Sequence, residues 1–207
     1  HPGYLAWVLE ELVAGRTPYM AAFAGISSCA IVGLTTKASG NRPVHVVGWS
    51  LGGVFALYGA HQASECVRSV ITLGSPVSVD PEGSRSPAFV KALYRMSAHP
   101  MGPAAHGMQP RAKKLREMKT LPVPMSCLYS ISDGVVPAQE ATIDGDPALH
   151  ENIRVFGSHT GLGFNAMVLC VVADRLAQPE GQWQPFKPTG LAGTVYRMVS
   201  GAQPAPA

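Results

Sequence analysis

The segment Pro43-Val44-His45-Val46-Val47-Gly48-Trp49-Ser50-Leu51-Gly52-Gly53 joins an apolar, β-branched run directly to a helical pattern. A strand that turns into a helix within so few residues needs small groups at the bend, and Gly48 and Gly52 flank Ser50 symmetrically to supply them. Further strand-like runs follow at Ser69 to Leu73, Met125 to Ser130 and Asn152 to Phe156, each closed by a Gly, Ser or Asp cluster. Helical spacing fills some of the intervals. Gly53 to Ala63 follows the first run, and Gly163 to Leu176 follows the last, with Phe164, Met167, Val168, Val171 and Val172 on one stripe. Strands alternating with helices predict a doubly wound, mainly parallel sheet.

Composition agrees with strands buried on both faces, because hydrophobic residues make up 46% of the 207 and charged residues only 14%. A length of this order suits one domain, here residues 1–187, followed by a Pro-, Gly- and Ala-rich stretch at 188–207 that reads as a loosely held tail. A helix is expected over 18–37, where Thr17-Pro18 fits an N-cap followed by proline. An insertion at about 77–121 carries many prolines and the basic segment Arg111 to Lys119, read as a solvated helix face ahead of any anion site.

Several functions are disfavoured at this level. A net charge of +3 is too small to track a phosphate backbone, so no nucleic-acid partner is expected. Cys29, Cys66, Cys127 and Cys170 show no metal-ligand spacing, and buried thiols are expected ahead of zinc, with one disulfide left open. The apolar stretch from Tyr19 to Leu34 is broken by Gly25, Ser27, Ser28 and Gly33, which speaks against a membrane span. The first residues, His1-Pro2-Gly3, have no leader-like character, so a signal peptide is either absent or removed. A cytoplasmic location is slightly favoured and the compartment stays open.

The chemistry concentrates at Ser50. In G-x-S-x-G between strand and helix, the serine occupies a strained turn that exposes its hydroxyl, and the helix beyond it points its positive end and the Leu51 N–H at any negative charge developing there. A neutral hydroxyl is a poor nucleophile, so a base and an orienting acid are required. Of the seven histidines, His159 alone follows a buried strand closely, in Phe156-Gly157-Ser158-His159-Thr160-Gly161-Leu162-Gly163. His45 and His61 fall inside a strand and a helix, His99, His106 and His150 lie in loop-like surroundings, and His1 stands at the chain end. Asp133 follows another strand at its carboxyl edge, where open α/β sheets keep their sites. Its rivals Glu140, Asp144 and Asp146 sit deeper in the connecting loop and read as exposed turn carboxylates.

These pieces, together with Pro2-Gly3-Tyr4-Leu5-Ala6 and Val70-Ile71-Thr72-Leu73-Gly74-Ser75-Pro76, give a sequence that resembles the bacterial α/β-hydrolases of the lipase and esterase type. The resemblance implies an α/β-hydrolase fold with a small cap insertion, and the order Ser50, Asp133, His159 is the one that fold uses. It also implies the Tyr4 N–H, beside Gly3, as a second oxyanion donor. The strand that should precede Pro2-Gly3 is missing and the stretch from Gly3 to Val44 is short, so either the N-terminus has been cut or the fold is pared down. Phe89, Leu93, Met96, Met101 and Met108 in the insertion fit an acyl pocket and ordinary cap packing equally well.

Ester hydrolysis through an acyl-enzyme on Ser50 is the expected activity, acting on a small-molecule or lipid ester with no cofactor. Acyl transfer at the same site, and a non-catalytic binding protein on the same fold, are the alternatives. Acyl chain length, the alcohol and oligomeric state are not encoded legibly.

Overall fold

A computed structural model describes residues 40–78, Arg85, residues 121–189 and residues 193, 194, 196, 198 and 200. The expected helix over 18–37, Tyr4 and nearly all of the insertion lie outside the described residues. Among the described residues four strands, β1 (Val44–Trp49), β2 (Val67–Leu73), β3 (Met125–Ser130) and β4 (His150–Val155), form a parallel sheet in the order β1-β2-β3-β4. Helix α1 (Leu51–Gln62) joins β1 to β2, and α2 (Ala166–Leu176) follows β4.

Alternation along the strands sends neighbouring side chains to opposite faces, and two separate cores result. On one face Val70, Met125 and Cys127 pack with Val54, Leu57 and Ala60 of α1. On the other, Ile71, Leu73, Leu128, Ile153 and Val155 pack with Val168, Val171 and Val172 of α2. The sheet is therefore covered on both sides. Full burial of each such aliphatic side chain stabilises the fold by about 1.5–3 kcal/mol, which makes the continuous run of β2 the backbone of both cores.

β2 and β4 each start two residues earlier than the apolar runs alone indicate. β4 begins at His150, which the sequence places in a loop. Its imidazole is buried and its Nε2–H donates to the Leu121 carbonyl at 3.0 Å, so a hydrogen bond rather than hydrophobicity admits it to the strand. The last helix starts at Ala166, not Gly163. Residues 160–163 form a separate 3₁₀ turn, and Phe164, expected on the buried stripe, is 78% exposed.

Phe186 and, beyond it, Tyr196 are packed against the sheet. Glu151 on β4 accepts from Ser126 Oγ (2.6 Å), Arg175 Nη1 (2.9 Å) and the Phe186 N–H (2.6 Å). The Arg175 guanidinium lies over the Phe186 ring, Phe186 meets Tyr196 edge-on, and the buried Tyr196 hydroxyl donates to the Arg154 carbonyl at 2.6 Å. Three donors on this largely covered carboxylate offset the cost of taking it out of water, so the ion pair can fasten Phe186 beside β4. Of the described cysteines Cys127 is buried and Cys170 is exposed. Burial pushes the Cys127 thiol up to about 12.

Between β1 and β2 the register slips by one residue at Arg68, and His45 then faces Ser69, sharing a 2.6 Å hydrogen bond through Nδ1. Burial first, and the positive charge of Arg68 second, hold the His45 imidazole below its ordinary value. The folded chain thus binds this proton more weakly than the unfolded chain, where histidine titrates near about 6.5. Its contribution to stability is whole above that pH and is lost as pH falls through the window down to the lowered folded value. Denaturant melts from about pH 8 to pH 5 should show His45→Asn losing less stability on acidification than the parent chain.

Candidate active site

Because the strands run parallel, their carboxyl ends open on one edge, and each contributes one part of the site. β1 delivers Ser50, with φ 54° and ψ −127°, a backbone state that costs an L-residue about 1–3 kcal/mol. Two contacts fix it there. The Ser50 N–H donates to the Leu73 carbonyl at 2.9 Å, tying the bend to the end of β2. A Cβ at position 48 would stand 2.5 Å from the Gly52 carbonyl oxygen and the Gly53 backbone, so only glycine lets α1 fold back so tightly.

β3 delivers Asp133, whose side chain is 1% exposed. Its Oδ1 accepts from the N–H groups of Val135 (2.8 Å) and Val136 (2.9 Å), and its Oδ2 accepts from His159 Nδ1 at 2.8 Å. Backbone donors of this kind fix the plane of the carboxylate. β4 delivers His159 on a loop that Asn165 closes. Its Nδ2 donates to the Phe156 carbonyl at 2.7 Å while its Oδ1 caps α2 by accepting from the Met167 N–H at 2.9 Å.

The three candidate side chains meet in a single line. His159 Nε2 lies 2.9 Å from Ser50 Oγ. With Nδ1–H donating to an acceptor-only carboxylate, Nε2 is left as the lone-pair nitrogen and the serine hydroxyl donates to it. Leu51, the first residue of α1, stands directly after Ser50, and N–H groups in a helix's first turn have no intrahelical acceptor. Tyr4 lies outside the described residues.

The rival carboxylates stand apart from this line. Asp144 and Asp146 are exposed, and Asp146 caps its own turn by accepting from the Ala148 N–H. Glu140 departs from expectation: it is buried, and it accepts from the Arg85 N–H. Among the described residues no group of three or more His, Cys, Asp and Glu side chains is placed to hold a metal ion, and no helix is long and apolar enough to cross a membrane.

Three supporting residues had no role assigned from sequence: Gly74, Asn165 and Trp49. Gly74 matched a family segment, and Asn165 had the signal of an Asn ahead of a helical run. Nothing in the sequence pairs Trp49 with His159.

Residues 23–99 match the family model described as alpha/beta hydrolase fold. Among solved structures, lipase B of Aspergillus fumigatus superposes with a TM-score of 0.54 at 15% identity, over 77% of this chain and 42% of the lipase. The chain has the α/β-hydrolase fold. It spans well under half the length of that lipase. The monoacylglycerol lipase of Paleococcus ferrophilus is similar at 12% identity over 72% of each chain, with a TM-score of 0.47. No curated protein matches by sequence. In this α/β-hydrolase sheet the candidate residues stand at the carboxyl edge, where such folds open their sites.

Gly74, at the end of β2, forms the floor under the acid and the imidazole. Its φ is +52°, and a Cβ there would lie 2.7 Å from Asp133 Oδ2, 2.7 Å from Leu162 Cδ1 and 3.4 Å from His159 Nδ1. Gly74→Ala should lower the unfolding free energy by about 1–3 kcal/mol and displace the His159 Nδ1–H proton resonance by NMR. Gly134→Ala, in open space on the same edge, should stay within about 0.5 kcal/mol and leave that resonance in place.

Proposed function

We propose that this chain is a serine hydrolase that cleaves carboxylic esters through an acyl-enzyme on Ser50, with His159 as general base and Asp133 as the acid that orients it. The observation that carries the proposal is the hydrogen-bonded line from Ser50 Oγ through His159 to Asp133 Oδ2, at 2.9 and 2.8 Å, set on a strained turn between strand and helix.

The steps follow from those positions. Ser50 Oγ attacks the ester carbonyl carbon while His159 Nε2 takes the hydroxyl proton. Asp133 stabilises the imidazolium so formed and holds the productive tautomer. The carbonyl oxygen becomes an oxyanion, met by the Leu51 N–H at the positive end of α1 and, in this proposal, by the Tyr4 N–H. Collapse expels the alcohol, which leaves with the proton from Nε2. Water then gives a proton to Nε2 and attacks the acyl carbon, and the carboxylic acid departs as Ser50 regains its proton. No cofactor takes part. The substrate is a small-molecule or lipid ester, bound within a single domain whose insertion at about 77–121 acts as a small cap.

Two experiments test this. Fluorophosphonate should label the parent chain, and Ser50→Ala should abolish both labelling and turnover of p-nitrophenyl esters while the far-ultraviolet circular dichroism is unchanged. Persistent labelling of the alanine variant would exclude Ser50 as nucleophile.

The choice of acid is tested by comparison. Asp133→Asn should keep the fold and lower kcat by on the order of 10⁴, since an amide favours the wrong tautomer and cannot stabilise the imidazolium. Asp144→Asn and Asp146→Asn should each change the activation free energy by under about 1 kcal/mol. A thousandfold loss in either, with Asp133→Asn near the parent rate, would move the acid to that residue.

A further inference from the structure

His159 rides on a loop, yet both of its ring nitrogens are spoken for within 3 Å. Those bonds align the ring only if the main chain of the loop is itself held at a fixed distance from Ser50. One side chain spans that distance. The Trp49 Nε1–H donates to the His159 carbonyl at 3.0 Å, and the indole lies against the imidazole with centroids 5.7 Å apart and planes tilted by 36°. Trp49 is the last residue of β1 and the immediate neighbour of Ser50, and its ring packs against the core that includes Leu73, Leu128 and Leu162. The donor therefore stands on the rigid end of a strand, while the acceptor belongs to the base.

We propose that Trp49 is a positioning residue for His159, a bracket that fixes the main chain of the base to the turn carrying the nucleophile. The inference rests on the assignment of His159 as base. Asn165 closes the loop on itself through the Phe156 carbonyl and Leu162 anchors its far side in the core, but neither contact takes from the main chain at His159 its freedom to shift relative to β1. Trp49 removes this freedom. Loss of the indole N–H lets the imidazole ride outward with its loop, lengthening the Nε2 to Oγ approach without touching the substrate's remote contacts. The rate of acylation falls while ground-state binding persists.

The test removes the N–H and keeps the ring. Trp49→Phe should lower kcat for p-nitrophenyl acetate and the rate of fluorophosphonate labelling by about 10- to 100-fold, with KM within about twofold and little change in melting temperature. Replacement of Trp49 by benzothienylalanine, which exchanges the N–H for sulfur in a ring of the same shape, should reproduce the loss even if Trp49→Phe folds poorly. In a His159→Ala background the same replacements should leave the residual rate unchanged, because the bracket then has no base to hold.

An undiminished kcat in the benzothienylalanine protein overturns the proposal. So does an equal loss in the His159→Ala background, which would make Trp49 a direct contact of the substrate. Failure of the parent chain to label at all, or hydrolysis by Ser50→Ala at the parent rate, overturns the nucleophile assignment itself, and is told apart by appearing before any change at position 49.

Discussion

The backbone of Ser50 is the constraint on which the rest of the site depends. A serine at φ 54° is unstable alone, and it persists because its surroundings leave no alternative: the Leu73 carbonyl takes its N–H, Gly48 opens the space for the returning helix, and α1 is packed into the sheet by Val54, Leu57 and Ala60. The cost of that one residue, about 1–3 kcal/mol, is small against a core in which each buried aliphatic side chain contributes a similar amount. The large apolar core therefore does more than hold the domain together. It forces a hydroxyl outward at the end of β1, where a relaxed turn would let it drop back toward the main chain.

Parallel pairing then does the remaining placement. Ser50, Gly74, Asp133 and His159 are far apart in sequence, yet each follows the carboxyl end of a successive strand, and the ladder continues past the strands through Ser50 N–H to Leu73 and Gly74 N–H to Leu128. Gly74 has a role that only this geometry defines. It leaves room for Asp133 and His159 to approach over the end of β2, and any side chain there would occupy the space of their hydrogen bond. The loops after β3 and β4 are thereby aimed inward by the sheet, and locally stiffened by the Val135 and Val136 N–H groups and by Asn165.

Much of this was legible in the sequence because it depends on local pattern. Apolar runs closed by turn residues located the four strands, and a glycine-flanked serine between strand and helix located the bend. What was not legible depends on partners distant in the chain. His150 enters β4 through a bond to Leu121, Glu140 is buried against Arg85, and Tyr196 is drawn out of a tail-like composition by Arg154 and Phe186. Each is a polar or aromatic group whose fate is decided by one contact, and periodicity carries no record of single contacts. Phe164 is the converse case, since helical spacing counts it on the stripe while the 3₁₀ turn before Asn165 rotates it out to solvent.

The same distinction separates Asp133 from the carboxylates around it. Sequence offers four acids after β3, and all but one are accounted for by their own neighbourhood: Asp144 is solvated, Asp146 caps a turn, and Glu140 is engaged by a backbone N–H. Asp133 has two backbone donors on one oxygen and an imidazole on the other, with its side chain 1% exposed. Such a carboxylate is oriented before any substrate arrives, and at this depth the field it exerts on the imidazole is little screened by solvent. An exposed carboxylate at the same distance would first have to be ordered and desolvated to hold the imidazole in the same way. The difference between the four acids is thus one of preorganisation rather than of charge, and it arises from the tight turn after Ser130 that aims the Val135 and Val136 N–H groups at a single oxygen.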